Sequence, residues 1–524
     1  MTGPEFQHSI RPDGMGGAYV AYARQQSTRH VTRLAPEGMP DPAWTTFSIS
    51  GLNVVPSIPE YGTCIAPRPD GTVWLFSDHA LEGVLYYRLT AGTGGSPPTD
   101  GGNSQQTQIA SVSVPSADGR TILLSWGATP DEILPAVLDA EGVLQDPPPA
   151  AILTTGSGTY NSLPAPIAIA DGLGGAVLAF QKFSTTEWAG VPSGDDLFAV
   201  RVLSDGSAAW LPPVRTLSNA NGGQNDVSVC PDGAGGAWFA WSDGRTPGNR
   251  RDVYVQHILA DGTFAPGFVF GGRDLAATTS DSFQPRLAED GAGGCWIVWT
   301  DDRTSNRDIH FTHLNAAGVP VAGFPPGGRS LCAAPGEQIE PAVSADGTGG
   351  IFLVWKDPRD GESDLYGQHI FHTGDVMAGW EPDGKPLCTN AFEPEAPALA
   401  TPSSGHAIAV WVDRRSGFPQ IYSLAFPPDG DVTEVPPSAQ ARLSLAPVRS
   451  PARGAIELDL SASDAGEVSV TLLDVSGRRL EELRRSGPLA AARVRFTRGL
   501  PAGLYLVTAS QRGRHVTAKV ATLR

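Results

Sequence analysis

No apolar run in this chain approaches the roughly 18 residues needed to cross a membrane as a helix. Its start, MTGPEFQHSIRPDG, has neither the basic nor the apolar region of a secretory signal. The expectation is a cytoplasmic protein, or a mature or truncated form of an exported one. Cysteine is scarce: Cys64, Cys230, Cys295, Cys332 and Cys388 are an odd five without tight spacing. That excludes a disulfide framework and, with no C-x-x-C, a zinc ribbon. Cys332 and Cys388 lie in matching contexts, RSLCAAPGEQ and KPLCTNAFEP, so equivalent buried positions are expected rather than a bridge. Lysine is scarcer still, 4 against 33 arginines. No stretch holds a 3.6-residue period, which argues against helices. Basic character is missing from most of the chain: the net charge is −18, and residues 441–524 carry +7, which leaves −25 on the rest. An acidic body excludes nucleic acid as a partner, because phosphate binding needs a basic face. G-x-S-x-G, H-E-x-x-H and a phosphate-cradling glycine loop are absent as well.

What is abundant is punctuation. The 62 glycines and 46 prolines interrupt short apolar runs, the habit of an all-β protein rich in turns. One unit recurs: PDGMGGAYVAY, PDGTVWLF, ADGRTILLSW, ADGLGGAVLAF, PDGAGGAWFAW, EDGAGGCWIVW and ADGTGGIFLVW, with PSSGHAIAVW as an eighth copy that has lost its Asp. Each run ends on an aromatic: Tyr22, Phe76, Trp126, Phe180, Trp241, Trp299, Trp355, Trp411. The separations are 54, 50, 54, 61, 58, 56 and 56 residues, so the unit is a supersecondary repeat. Each copy reads as four short strands. A leading strand enters the Asp-Gly turn; a fully apolar strand leaves it; a strand of period two such as DIHFTHL follows; a last stretch such as GRSLCA leads onward. Four strands per repeat is a propeller blade, and blades bury their faces against neighbours. The fold expected is all-β: an eight-bladed β-propeller over residues 1–430, with seven blades as the alternative. The first copy starts so early that it should lack a leading strand of its own. A strand near 431–435, within the linker 431–440, is expected to complete the first blade.

The last four repeats carry a strict signature. Trp241, Asp243 and Arg245 stand two residues apart, as do Trp299, Asp301 and Arg303, then Trp355, Asp357 and Arg359, then Trp411, Asp413 and Arg415. A second Asp opens the next strand at Asp252, Asp308 and Asp364, replaced by Gln420 in the last repeat. The hairpin should bring both carboxylates near the Arg, whose planar fork can bridge them. A bound calcium is the alternative use of paired carboxylates, although the interposed Arg counts against it; a chelator titration that leaves the melting temperature unchanged would remove it. Repetition favours the structural use, since an active site is needed once and should break the pattern. No cofactor is expected. His257, His313 and His369 recur in one slot of three blades, so they cannot converge unless that slot faces the central channel. Sialidases repeat S-x-D-x-G-x-x-W; here the aromatic lies nine residues after the Asp, as from Asp232 to Trp241, which argues against a sialidase. The irregular early blades carry insertions at 91–107 and 181–196, where a ligand site is expected.

After the Pro-rich FPPDGDVTEVPPSAQA the blade signature stops. Alternating runs IELDLS, VSVTLLDV, ARVRFTR, LYLVTAS and HVTAKVATL predict a small immunoglobulin-like β-sandwich over 441–524. This tail resembles the C-terminal (Por) sorting domain of the bacterial type IX secretion system. The resemblance rests on LLDVSGRRL, LPAGLYLV and the terminal RHVTAKVATLR, with Gly477 and Gly503 matching the family's turn glycines and Tyr505 its strand tyrosine. The family's lysine-rich last strand is reduced here to Lys519, beside Arg514 and Arg524. The resemblance implies an export address read by the secretion machinery, hence a secreted or cell-surface protein. The repeats also resemble those of secreted bacterial propellers, which brings no activity with it.

The function expected is therefore non-catalytic binding of a glycan, protein or surface across one propeller face. The rival is an extracellular polysaccharide hydrolase or lyase. Acidic residues that face the channel and break the repeat would favour the enzyme, and a smooth ring of equivalent residues would favour binding.

Overall fold

The computed structural model describes residues 8–523 apart from 24–27, 42, 45–46, 51–63, 69, 80–82, 91–110, 116–118, 127–131, 146–148, 154–166, 184–194, 247–249, 276–279, 305, 360, 362, 390–393, 415–419, 431–443, 448–451, 454–455, 476–477, 497–499, 502 and 512–513. Among the described residues every regular element is a strand, so no helix is long and apolar enough to cross a membrane. The chain divides into two compact units, Met1–Val435 and Pro436–Arg524.

In the first unit eight antiparallel sheets follow one another among the described residues, six of four strands and two of three. The sixth is typical: Ser282–Glu289, Cys295–Asp301, Asp308–Leu314 and Arg329–Cys332, paired in chain order. Its second strand, CWIVWTD, is buried throughout. The reason lies in the neighbours. Cys295, Ile297 and Trp299 pack with the fifth sheet, whereas Trp296 and Val298 pack with the seventh. A strand with apolar neighbours on both faces has no use for polar alternation. The third strand alternates in sequence yet is also buried throughout, and its His310, Thr312 and His313 lie inside.

Eight apolar clusters, each shared by two neighbouring sheets, run round the unit. The eighth joins Ile408 and Val410 of the last sheet to Ile10, Val20 and Leu34 of the first. The first strands of successive sheets are adjacent, and that of the last sheet, Glu395–Ala400, lies beside that of the first, His8–Pro12. The arrangement is propeller-like and closes on itself by packing. Here the structure differs from expectation. The first sheet has its own leading strand, His8–Pro12, paired with Ala18–Ala23, and is complete from residues 8 to 50. The segment proposed to close it, 431–435, lies outside the described residues.

In the second unit all six strands belong to one hydrogen-bonded network. Two long strands, Ile456–Asp474 and Arg479–Phe496, pair with each other, and Gly503–Gln511 pairs with the far half of the first of them. Ile456, Leu458, Leu460, Val468, Val470 and Leu472 point to one buried core, as period two requires. Tyr505 lies in that core and donates its hydroxyl to the Pro501 carbonyl at 2.9 Å. The Gly503 N–H donates to Thr522 Oγ1 at 3.1 Å, and Gly477 lies outside the described residues.

Candidate functional site at the mouth of the first strands

Strand register fixes two ends for each sheet of the first unit. Gln224 pairs with Asp243, and Pro231 pairs with Ala237. The starts of the first strands therefore share an end with the Trp-x-Asp-x-Arg loops, and the Asp-Gly turns lie at the other.

At the turn end the Asp is a repeated fastener. Asp290 Oδ1 accepts the Ala292 and Gly294 N–H groups, each at 2.8 Å, and its Oδ2 lies 3.0 Å from His313 Nε2. Gly294 is required: a Cβ there would sit 2.2 Å from the Leu314 carbonyl oxygen. Asp232 with His257 and Asp346 with His369 repeat the 3.0 Å contact, and Asp13 and Asp171 take Arg33 and Arg201 instead. The three imidazoles stack on Trp238, Trp296 and Phe352 with centroids 4.0, 4.1 and 4.0 Å apart. Each serves its own turn, and they do not converge. Burial opposes ionisation of Asp346, but hydrogen bonds from His369, Thr348 and Gly350 outweigh it and draw its pKa from 3.8 down to about 2. Asp232 and Asp290 shift the same way for the same reasons. A carboxyl depressed in the folded state stabilises fully above its unfolded pKa, and that stabilisation is lost as the pH falls through the folded value. The melting temperature should therefore fall between about pH 5 and pH 2. Asp346→Asn should flatten that limb, and an unchanged limb in a pH-melt series would refute the assignment.

At the loop end, Asp301 is fully buried. It accepts Trp299 Nε1 at 3.0 Å and three bonds from Arg303: N at 3.0, Nε at 2.7 and Nη2 at 2.6 Å. Arg303 Nη2 also reaches the Gly327 carbonyl at 3.0 Å. Asp243 repeats this with Trp241, Arg245 and Gly271, and Asp357 with Trp355, Arg359 and Asp383. Trp411 donates to Asp413 at 3.4 Å, and Arg415 lies outside the described residues. The second Asp is in register, Asp243 with Asp252, Asp301 with Asp308 and Asp357 with Asp364, but the Arg does not bridge to it. Asp252 is held by Thr246 and Arg250, and Asp308 by Thr304 and Asn306. The Nε–Nη2 edge of the fork is taken by one carboxylate and a carbonyl of the following connection. His310 is buried beside Arg303, and both effects lower its pKa against the opposing pull of Asp301 and Asp308. Among the described residues no group of three His, Cys, Asp or Glu side chains is placed to hold a metal ion.

What breaks the pattern lies on the first strands near the loop end. In sheets five to eight each first strand has a register shift, which puts Asp226, Gln284, Glu340 and Ala396 at φ of 53°, 54°, 56° and 49°. Such bulges re-aim side chains, and non-glycine residues pay about 1–3 kcal/mol for this backbone. The side chains link the sheets. Ser242 Oγ donates to Asp226 Oδ2 at 3.0 Å and accepts the Gln284 N–H at 3.1 Å; Gln284 Oε1 accepts the Glu340 N–H at 3.4 Å; Glu340 Oε2 accepts the Ala396 N–H at 3.1 Å. Two residues past Gln284 stands Arg286. Four residues before the turn Asp, other repeats have Ser9, Ala66, Val114, Ile167, Ser228 and Ala342. Arg286 lines a cavity of about 390 Å³ with Asp226, Asn225, Ser228, Gln181 and Phe180. Burial among the strands pushes its pKa down, and the charges of Asp226 and Glu340 oppose that shift. Sequence reasoning missed these residues. An alignment of the repeats on the turn Asp exposes Arg286 as a cation in a column of small and apolar residues. Of the insertions expected to carry a site, 91–107 and 184–194 lie outside the described residues, and Gln181 at the start of the second lines the cavity.

No family model and no curated protein matches the chain. Among solved structures it is similar to a puromycin hydrolase, at 17% identity and TM-score 0.41 over 76% of this chain and 58% of that one. It is also similar to a PL25 ulvan lyase, at 11% identity and TM-score 0.39 over 76% and 96%. A third is the endo-arabinase of Bacteroides thetaiotaomicron, at 12% identity and TM-score 0.31 over 50% and 93%.

Proposed function

We propose that this chain is an extracellular polysaccharide hydrolase or lyase, built on an eight-bladed β-propeller and exported through a C-terminal immunoglobulin-like sorting sandwich. One observation carries the enzymatic reading. Asp226, Arg286 and Glu340 bring alternating charges to three adjacent first strands, at positions where the repeat requires no such residues. Asp226 and Glu340 each accept one hydrogen bond on one oxygen, from Ser242 and from the Ala396 N–H. Among the described residues the other oxygen of each has no donor, and it is not sealed from solvent. Two carboxylates flanking a guanidinium can supply a general acid, a general base and a fixed positive charge.

The test is a polysaccharide panel scored for both binding and turnover. Glu340→Gln or Asp226→Asn should lower turnover by about 10²–10⁴-fold, the range of a lost acid or base, with binding retained. Binding without turnover across the panel would instead establish a non-catalytic binding propeller. For the tail, deletion of 441–524 should abolish export in the native host; unchanged export would end the sorting proposal.

A further inference from the structure

We propose that Arg286 is a recognition residue for an oxyanion carried on the sugar chain, so that the substrate of the site above is an anionic polysaccharide. The proposal rests on that reading of the site and adds the substrate class.

The guanidinium has five N–H donors in a planar fork. Arg286 uses one side of it: among the described residues its bond is Nη1 to the Pro285 carbonyl at 2.9 Å, and it makes no ion pair. Its remaining nitrogens are not among the buried atoms that lack a partner, so they are not sealed from solvent, and the residue lines the cavity. The signature arginines contrast with it. Arg245 and Arg303 each close the fork on a buried carboxylate and a carbonyl. Asp226 and Glu340 lie close enough to Arg286 to act on it electrostatically, but neither closes on it. A half-buried cation in this state is balanced at a distance and unfilled at contact.

The fold does not need it. The preceding sheet places Ser228 in the same column, and that hydroxyl accepts the Leu287 N–H at 3.0 Å. An open planar fork in a concave site matches two oxygens of one carboxylate or sulfate group, in the bidentate geometry that favours Arg. The cavity, about 390 Å³, falls within the roughly 300–1,000 Å³ of small-ligand sites. The protein carries −18, so an anionic chain gains nothing from the overall field and needs a local cation. Carboxylate and sulfate share this chemistry, and the test separates them.

The full chain is tested for binding and turnover with polygalacturonate as the carboxylate probe, dextran sulfate as the sulfate-ester probe, and dextran and arabinan as neutral probes. Arg286→Ser installs the residue that Ser9 and Ser228 already supply in equivalent positions, and Arg286→Lys keeps the charge without the fork. One anionic probe should bind, and Arg286→Ser should weaken it about tenfold or more, the worth of a hydrogen bond to a charged group. Arg286→Lys should keep part of that affinity. Binding of the neutral probes should not depend on Arg286. The probe that responds names the group as carboxylate or sulfate. Arg286-dependent anion binding without turnover upholds this assignment and overturns the enzymatic reading. Turnover of a neutral probe with no gain for either anionic one overturns this assignment and leaves the enzymatic reading standing. Anion binding unchanged in Arg286→Ser overturns the assignment outright.

Discussion

Asp301→Ala is expected to lower stability by about 3 kcal/mol in urea unfolding, the low end of the cost of breaking a buried pair. The carboxylate is fully buried and accepts four hydrogen bonds. Without it, the Arg303 side chain, 26% exposed, can turn towards water. The Trp299 indole N–H has no such exit, because Trp299 is fully buried. An orphaned buried donor costs about 1–3 kcal/mol, and the peptide N–H of Arg303 adds to it. Asp301→Asn should cost less, since its carbonyl oxygen still serves the indole or the peptide. Asp261→Ala is the control: that carboxylate caps an exposed turn through Thr263, and its loss should stay within about 1 kcal/mol. Equal losses for Asp301 and Asp261 would show that the Trp-x-Asp-x-Arg signature does not fasten the loop.

The signature was legible because it repeats and because its parts are neighbours in sequence. Trp299, Asp301 and Arg303 stand two apart, and strand geometry brings them together without any knowledge of the fold. The bridge to Asp308 fails for a reason that no local pattern contains. Arg303 Nη2, already on Asp301, also turns to the Gly327 carbonyl, 24 residues further on. The Asp290–His313 pair was hidden in the same way. Each residue was singled out alone, in a turn and in a repeated slot, but their meeting depends on three-strand register. Arg286 was harder. A charged residue in a short alternating strand reads as solvent-facing until the ring places that strand at its centre. Arg286 breaks the repeat within a regular sheet, whereas most of the long insertions where the sequence points to a ligand site lie outside the described residues.

Gly328→Ala should be at least as costly as the loss of Asp301, and it tests the same assembly from the opposite side. Gly328 has φ of +73°, and a Cβ there would lie 2.3 Å from Trp299 Cη2 and 2.8 Å from the Phe311 carbonyl oxygen. The next sheet repeats this closeness at Gly384 with Trp355, at 2.2 Å, and the previous one at Gly272 with Trp241, at 2.5 Å. The signature tryptophan therefore packs on a glycine of the connection that leads to its own sheet's last strand. Two costs combine in the variant: left-handed backbone for alanine, about 1–2 kcal/mol, and overpacking against a fully buried indole, about 1–3 kcal/mol. Gly347→Ala separates them. That glycine has φ of +78° with nothing within 4 Å of the added Cβ, so only the backbone cost of about 1–2 kcal/mol applies. A larger midpoint shift for Gly328→Ala than for Gly347→Ala, with Trp299 fluorescence altered only in the first, is the expected result. Equal shifts would mean that the indole yields freely, and the glycine column would then reflect turn geometry alone. The carbonyl that receives Arg303 belongs to Gly327, so displacement of Gly328 should also loosen the fork around Asp301. Asp301→Ala and Gly328→Ala should then combine to less than the sum of their separate effects, as expected for two changes in one contact network.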